Sequence, residues 1–278
     1  MRDDDDSARA RDRLEAAPLD VAAVEAEIVP LRLGHPFLYF PAVASTNTTA
    51  AQLARDGAAE GTLVTTDDQT AGRGRIGRVW RSLPGQQLAV SLVLRPSFPP
   101  HFLVMASALA VAEAIDAVVA PSAETVSAEI KWPNDVLLAG RKVCGILIET
   151  STDFAVLGIG VNVNSSLAAD AALAAHATTL AEVVGRPIAR ETLLVALLRR
   201  LDAHYADLSG SSGGAVARQA VRDRWRARLV TLGQSVRIAQ GDQPPLEGVA
   251  EGVDADGVLL LRRADGTLRA VTWGDVQS

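Results

Sequence analysis

The texture of the chain changes near Gly233, and no other feature constrains the fold as strongly. After it come only short β-like runs, at 236–239, 246–253, 258–262 and 268–273, punctuated by the tight-turn signals Asp254-Ala255-Asp256-Gly257 and Ala264-Asp265-Gly266. Short strands at that spacing bury a shared face by curling into a small β-barrel of roughly fifty residues. Before Gly233, β-like runs at 38–43, 63–66, 88–94, 129–131, 135–138, 142–149 and 154–163 alternate with helical stretches. Ala139-Gly140-Arg141 is a hairpin signal between two of those runs. Residues 101–119 are almost wholly apolar but carry Glu113 and Asp116, and Pro121 stops them, which predicts a core helix and not a membrane span. A shorter helix is predicted over 20–28, and an amphipathic one over 188–208 before a Ser/Gly break at 209–214. Ser45-Thr46-Asn47 offers cap chemistry for a helix that ends at Gly57.

The pattern predicts an α+β protein in three parts: an acidic leader over 1–36, a mixed β-sheet flanked by helices over 37–232, and the β-barrel over 233–278. Aromatic residues are only 4% of the 278, so the core is aliphatic and stacking platforms for single-stranded nucleic acid are scarce. A net charge of -6 argues against a generic nucleic-acid or anionic-membrane binder. Cys144, alone of its kind, builds neither a disulfide framework nor a cysteine-rich zinc site. His35, His101, His176 and His204 share no motif. The start of the chain lacks an apolar signal core, so a cytoplasmic protein is expected.

The segment Gln69-Thr70-Ala71-Gly72-Arg73-Gly74-Arg75-Ile76-Gly77-Arg78-Val79-Trp80 is chemically the most pointed. Its glycines let backbone N–H groups turn inward around an anion, and its three guanidinium forks suit phosphate. Three cations with no acid in so short a segment repel one another, which predicts a loop that is mobile until a polyanion neutralises it. Gly72-x-Gly74-x-x-Gly77 also fits the dinucleotide-binding spacing, but that site needs a helix to start on the glycines, and Arg81-Ser82-Leu83-Pro84-Gly85 does not make one. A second segment, Ile130-Lys131-Trp132-Pro133-Asn134-Asp135, sets a lysine between apolar neighbours at a strand end, where it needs an anion. That anion is either a substrate phosphate or carboxylate, or a nearby acid such as Asp135 or Glu129. Asn134, Asp135, Glu149 and Asn162 add oxygens suited to magnesium or its waters, though turn and capping roles serve each as well.

In order along the chain, Ser45-Thr46-Asn47, the glycine-arginine segment to Arg78, Lys131-Trp132-Pro133-Asn134-Asp135 and Gly145-Ile146-Leu147-Ile148-Glu149 resemble the biotin–protein ligase family, from about residue 38 to the C-terminus. The resemblance implies a class II synthetase-like catalytic fold with an SH3-like C-terminal barrel. It implies an enzyme that takes biotin and ATP with Mg²⁺, forms biotinyl-adenylate, and passes biotin to a lysine of a biotin carboxyl carrier protein or carboxylase domain. By position, Ser45, Thr46, Asn47, Gln69, Arg73, Gly74, Arg75, Lys131, Gly145 and Ile146 correspond to the biotin site. Gly72, Arg75, Arg78, Trp80, Asn134 and Asn162 correspond to the nucleotide site, and Lys131, Arg73 and Arg75 to the catalytic charges. The resemblance leaves metal ligands unassigned. Ile76 stands where relatives often carry a polar or basic residue, which bears on loop ordering more than on chemistry. The acidic leader resembles the monofunctional branch without a DNA-binding domain, so neither DNA nor membrane is an expected partner; a homodimer stays open. The rivals are a lipoate-type ligase of the same fold, a non-enzymatic nucleic-acid binder, and a nicotinamide enzyme.

Overall fold

A computed structural model describes residues 17–120, 126–167, 170–210 and 214–277. The acidic stretch before residue 17, the Pro121 stop and residues 211–213 of the Ser/Gly break lie outside the described residues. The elements run α1 Val21–Ile28, β1 Phe37–Val43, α2 Thr46–Arg55, β2 Leu63–Gln69, β3 Gln87–Leu94, α3 Pro100–Val119, β4 Glu129–Lys131, β5 Asp135–Leu138, β6 Arg141–Thr150, β7 Ala155–Asn162, α4 Ala171–Ala174, α5 Leu180–Val184, α6 Arg190–Ser209 and α7 Gly214–Ala227, then strands β8 Ser235–Gln240, β9 Gln243–Val253, β10 Leu259–Arg262, β11 Leu268–Val271 and β12 Asp275–Gln277.

Seven strands form one mixed sheet in the order β1-β2-β3-β7-β6-β5-β4. Only β1 and β2 pair in parallel; every other neighbour is antiparallel. The helix α3 is buried along nearly its whole length among α6, α7 and the sheet, which is why a stretch apolar enough to cross a membrane stays inside the core here. On the opposite face α2 lays Ala50 and Ala54 over Val64, Val93 and Val156. Helix α7 follows the Ser/Gly break, where no helix was expected. Its charged sequence buries Val221 and Trp225, which stand one turn apart and anchor it against α3 and α6.

A buried ion pair fastens the strand ends that carry the site. The Arg190 guanidinium donates to Asp67 Oδ1 at 2.7 Å, to the Gln87 carbonyl at 3.3 Å and to the Ala17 carbonyl at 2.6 Å. The Tyr39 hydroxyl donates to the other Asp67 oxygen at 2.5 Å, and its burial, reinforced by that carboxylate, pushes the phenol up to about 12. Each charge is compensated by several partners, as a charge withdrawn from water requires.

The last five strands form a separate antiparallel sheet in the order β11-β10-β9-β8-β12. It fits a small SH3-like barrel, although its ladders run open from β11 to β12 and no closing pair is found among the described residues. It docks on the large sheet's layer through the β9–β10 turn, where the Gly257 carbonyl accepts from the Trp132 indole at 3.0 Å.

Candidate functional site

Side chains two residues apart share a face of a strand, and paired residues share a face across strands. Val156, Gly158 and Gly160 of β7 therefore face the same way as Glu149, Leu147 and Gly145 of β6, and as Val93, Ser91 and Ala89 of β3. Helix α2 covers that face over Val156. Beyond it the glycines leave a recess. A Cβ on Gly158 would stand 2.0 Å from Asn47 Oδ1, and one on Gly160 would stand 2.7 Å from the Trp80 indole, so both positions must lack a side chain. The result is a cleft floored by Gly145, Gly158 and Gly160, walled by residues 45–47 and Gln69, and roofed by the glycine-arginine segment.

At the α2 end the polar groups are fixed to one another. Gln69 Oε1 accepts from the Thr46 N–H at 2.9 Å and from the Thr46 hydroxyl at 3.2 Å. The Ser91 hydroxyl lies 2.8 Å from the Thr46 hydroxyl and 2.6 Å from Asn47 Oδ1, and Asn47 Nδ2 donates to Glu149 at 2.8 Å. Ser45 is the N-cap residue, but its side chain makes no cap bond, so the expected capping chemistry does not form; the buried side chain faces the cleft.

The glycine-arginine segment folds into a small flap. Gly74 N–H donates to the Arg78 carbonyl at 2.7 Å and Trp80 N–H to the Gly72 carbonyl at 2.9 Å, so residues 72 and 80 close the base of a narrow hairpin. Its tip is a single 3₁₀ turn, Arg75–Gly77, with Ile76 at φ 54°, a left-handed conformation unusual for a β-branched residue. No α-helix starts on the glycines, which disposes of the dinucleotide-binding reading. The repulsion expected among three unpaired cations is also corrected: it counted only charges inside the segment, and the fold brings acids from elsewhere. Arg73 pairs with Glu149 at 3.0 Å, Arg78 pairs with Asp275 of β12, and Arg75 donates to Asn134 Oδ1. Burial depresses the Arg75 guanidinium and Arg78 pushes the same way, while Asp135 and Asp275 oppose the shift.

Two lysines stand beside the arginines. Lys131, on the edge strand β4, pairs in register with Asp135 and so shares the cleft face, although it is not among the residues lining the cleft; among the described residues it has no ion-pair partner. Lys142 lines the cleft: its ammonium sits 2.7 Å from Asp135 and 6.0 Å from the centre of the Trp80 ring. Strict alternation from Gly145 would turn Lys142 to the core with Cys144. The register between β5 and β6 slips by one residue, pairing Val136 with Cys144 and Leu137 with Lys142, and this bulge turns Lys142 onto the cleft face. The two-residue turn Ala139-Gly140, both at positive φ, closes the hairpin just beyond.

Of the residues singled out from the sequence, Ser45, Thr46, Asn47, Gln69, Arg73, Gly74, Arg75, Arg78, Trp80, Asn134, Gly145 and Ile146 line the cleft. Gly72 does not; a Cβ there would stand 2.4 Å from the Trp80 carbonyl, so it serves the flap's base. Asn162 shares the strand face of Gly160 but does not line the cleft; its amide donates to the Thr178 carbonyl at 3.1 Å, tying β7 to the segment before α5. Asp135, read from the sequence as an oxygen donor, lines the cleft too, and Lys142, Gly274 and Asp275 are the cleft residues to add.

The chemistry of this arrangement is specific in kind. Four cations and a flat indole with glycine beneath it suit a phosphate-bearing planar ligand, and the fixed amide and hydroxyl groups beside Gln69 suit a neutral polar head. The enclosed part of the cleft measures about 130 Å³, less than a drug-sized ligand fills, and it opens to solvent beside the flap.

Residues 39–164 match the biotin/lipoate A/B protein ligase family, and residues 231–277 match the biotin protein ligase C-terminal domain. A biotin–[acetyl-CoA-carboxylase] ligase of Mycobacterium tuberculosis is 32% identical over 275 residues, covering 96% of this chain and 97% of that protein. A bifunctional ligase/repressor of Bacillus spizizenii is 35% identical over 255 residues, covering 88% of this chain and 74% of that protein. The solved biotin protein ligase of Aquifex aeolicus in complex with biotin and ATP superposes with a TM-score of 0.73 at 28% identity, covering 86% of this chain and 97% of that one.

Proposed function

The chain belongs to the biotin/lipoate A/B protein ligase family, and from that premise we propose that it joins biotin to ATP as biotinyl-adenylate and passes the biotinyl group to a lysine of a carboxylase carrier domain. The observation that carries this is the convergence of Arg73, Arg75, Arg78 and Lys142 on one glycine-floored cleft beside Trp80. Biotin is favoured over lipoate because the C-terminal match is to a biotin ligase domain and the relatives and the solved structure named above are biotin ligases.

In the first step an oxygen of the biotin carboxylate attacks the α-phosphorus of ATP, and the bond to the bridging oxygen breaks to release pyrophosphate. Both reactants are anions, so the barrier contains their repulsion. Fixed cations lower it most where negative charge accumulates on the pentavalent phosphorus. Lys142, Arg75 and Lys131 serve there, with Arg73 and Arg78 neutralising the rest. In the second step the acceptor's uncharged amine attacks the acyl carbon, AMP leaves, and the amine's proton passes to solvent. The flap keeps water from the mixed anhydride in between.

No group of three or more acidic, histidine or cysteine side chains fit to hold a metal is found among the described residues. A magnesium ion brought by the nucleotide needs only one or two protein oxygens, and Asp135 and Asn134 beside the cations can supply them. When bound, it would shield the phosphate charge. The protein works in the cytoplasm in this reading, with no DNA or membrane partner.

The test is pyrophosphate release from ATP and Mg²⁺ with biotin or lipoate supplied in turn. Release with biotin alone is expected; release with lipoate alone would transfer the reading to the lipoate-type ligases.

A further inference from the structure

The flap is buckled at both arms, to two different sheets. On one arm, Arg73 reaches Glu149 of β6. On the other, Arg78 reaches Asp275, the first residue of the last strand β12. Arg78 is also the residue whose carbonyl accepts from Gly74 and whose N–H donates to Arg75, so whatever seats Arg78 seats the whole tip.

Asp275 is itself well fixed. It pairs in register with Ala239 of β8, and the preceding Gly274 lies so close to that strand that a Cβ on it would stand 2.4 Å from Ile238. Gln240 Nε2 donates to the Trp273 carbonyl at 2.6 Å, pinning the chain one residue further back. A rigid carboxylate therefore projects from the C-terminal sheet into the cleft mouth, although an anion there works against binding phosphate. A carboxylate tolerated at such a place has a reason to be there, and its one ion-pair partner among the described residues is the flap.

We propose that Asp275 is a positioning residue: it anchors the flap through Arg78, couples the C-terminal sheet to closure of the cleft, and so slows escape of the activated acyl intermediate. The identity of the retained intermediate rests on the ligase reading; the anchoring itself does not.

The test uses the full chain and two readouts, tryptic cleavage after Arg75 in the protein without ligand, and the rate at which preformed biotinyl-adenylate leaves. Both ends of the pair are partly exposed, so a modest effect is expected, about threefold acceleration of both rates in Asp275→Asn. Arg78→Ala, a change in the exposed flap that leaves β12 intact, should accelerate cleavage as much as Asp275→Asn does, and the double variant should be cleaved no faster than either single one; adenylate release in Arg78→Ala rises further, because Arg78 also faces the phosphate. The charge-swapped pair Arg78→Asp with Asp275→Arg should return cleavage toward the parent rate. Parent rates in Asp275→Asn, or cleavage effects that multiply in the double variant, overturn the proposal. If no adenylate forms at all, the ligase reading fails, and the cleavage rates still decide whether Asp275 holds the flap.

Discussion

Replacing Lys142 with alanine removes a cation that lines the cleft from a strand and not from the flap. Its ammonium is 2.7 Å from Asp135 and 6.0 Å from the Trp80 ring centre, so its position is set before any ligand arrives. Loss of one such preorganised charge costs about 10²–10³ in rate, or roughly 2.7–4 kcal/mol. The structure adds a second cost. Asp135, partly buried, is left unpaired and would face the incoming anions; two like charges about 4 Å apart at an effective dielectric near 20 repel by up to about 4 kcal/mol, less as solvent enters. Lys142→Ala should therefore fall at the severe end, about 10³-fold in biotin-dependent ATP–pyrophosphate exchange. Asp135→Asn in that background should recover about tenfold by removing the stranded charge. Lys131→Ala, which removes a second cation from the face that carries Asp135, should cost about 10²–10³ in the same assay. Near-parental exchange in Lys142→Ala would refute its assignment and the bulge argument behind it, and near-parental exchange in Lys131→Ala would remove Lys131 from the charges of the site.

Three further outcomes follow from the packing. Gly160→Ala sets a methyl 2.7 Å from the Trp80 indole and must push it off its bond to Gln87; KM for ATP should rise about tenfold or more with the melting temperature nearly unchanged, and an unaltered KM would remove Trp80 from the nucleotide side. Gly257→Ala, at φ 78° and 2.4 Å from Met105, should destabilise the docking of the C-terminal sheet by about 1–3 kcal/mol in denaturant unfolding; parental stability would contradict the tight turn. Burial alone would raise the Glu113 carboxyl, but the His204 hydrogen bond and the charges of His204, Arg224 and Arg200 outweigh it and hold it below its ordinary value. A depressed carboxyl adds stability that is present above its unfolded pKa and lost as the pH falls through the folded one. Stability should thus decline below about pH 4.5, and Glu113→Gln should flatten that decline; an equally steep slope in the variant would exclude Glu113 as the source.

Much of this architecture was readable in the residues because it rests on local patterns. The β-rich runs of β3 and β7, the apolar run of α3, the positive-φ turn at Ala139-Gly140 and the cation-rich flap each declare themselves over short stretches. The rest depends on events that local pattern does not encode. Lys142 sits beside a visible hairpin, but only the bulge puts it in the cleft, so a strict period of two points to the wrong face. Lys131 had suggestive neighbours, but its place on the face of Asp135 comes from the pairing of β4 with β5, which its own segment does not encode. The acids that neutralise the flap come from 76 and 197 residues away, and a charge count within one segment misses both. Asn162 uses its amide nitrogen on the Thr178 carbonyl, 16 residues on, a partner that the segment's own pattern does not show. Helix α7 hid behind its arginines, with only Val221 and Trp225 marking a buried side.

A cationic flap and the lysines beside it hold two repelling anions until they join, and then retain the product. Gel filtration of the protein after incubation with labelled biotin, ATP and Mg²⁺, followed by addition of a carboxylase carrier domain, tests this. Label should travel with the protein as the adenylate, close to one per chain, and move to the carrier's lysine without further ATP. Label eluting only as free biotin, with no pyrophosphate formed, would rule it out.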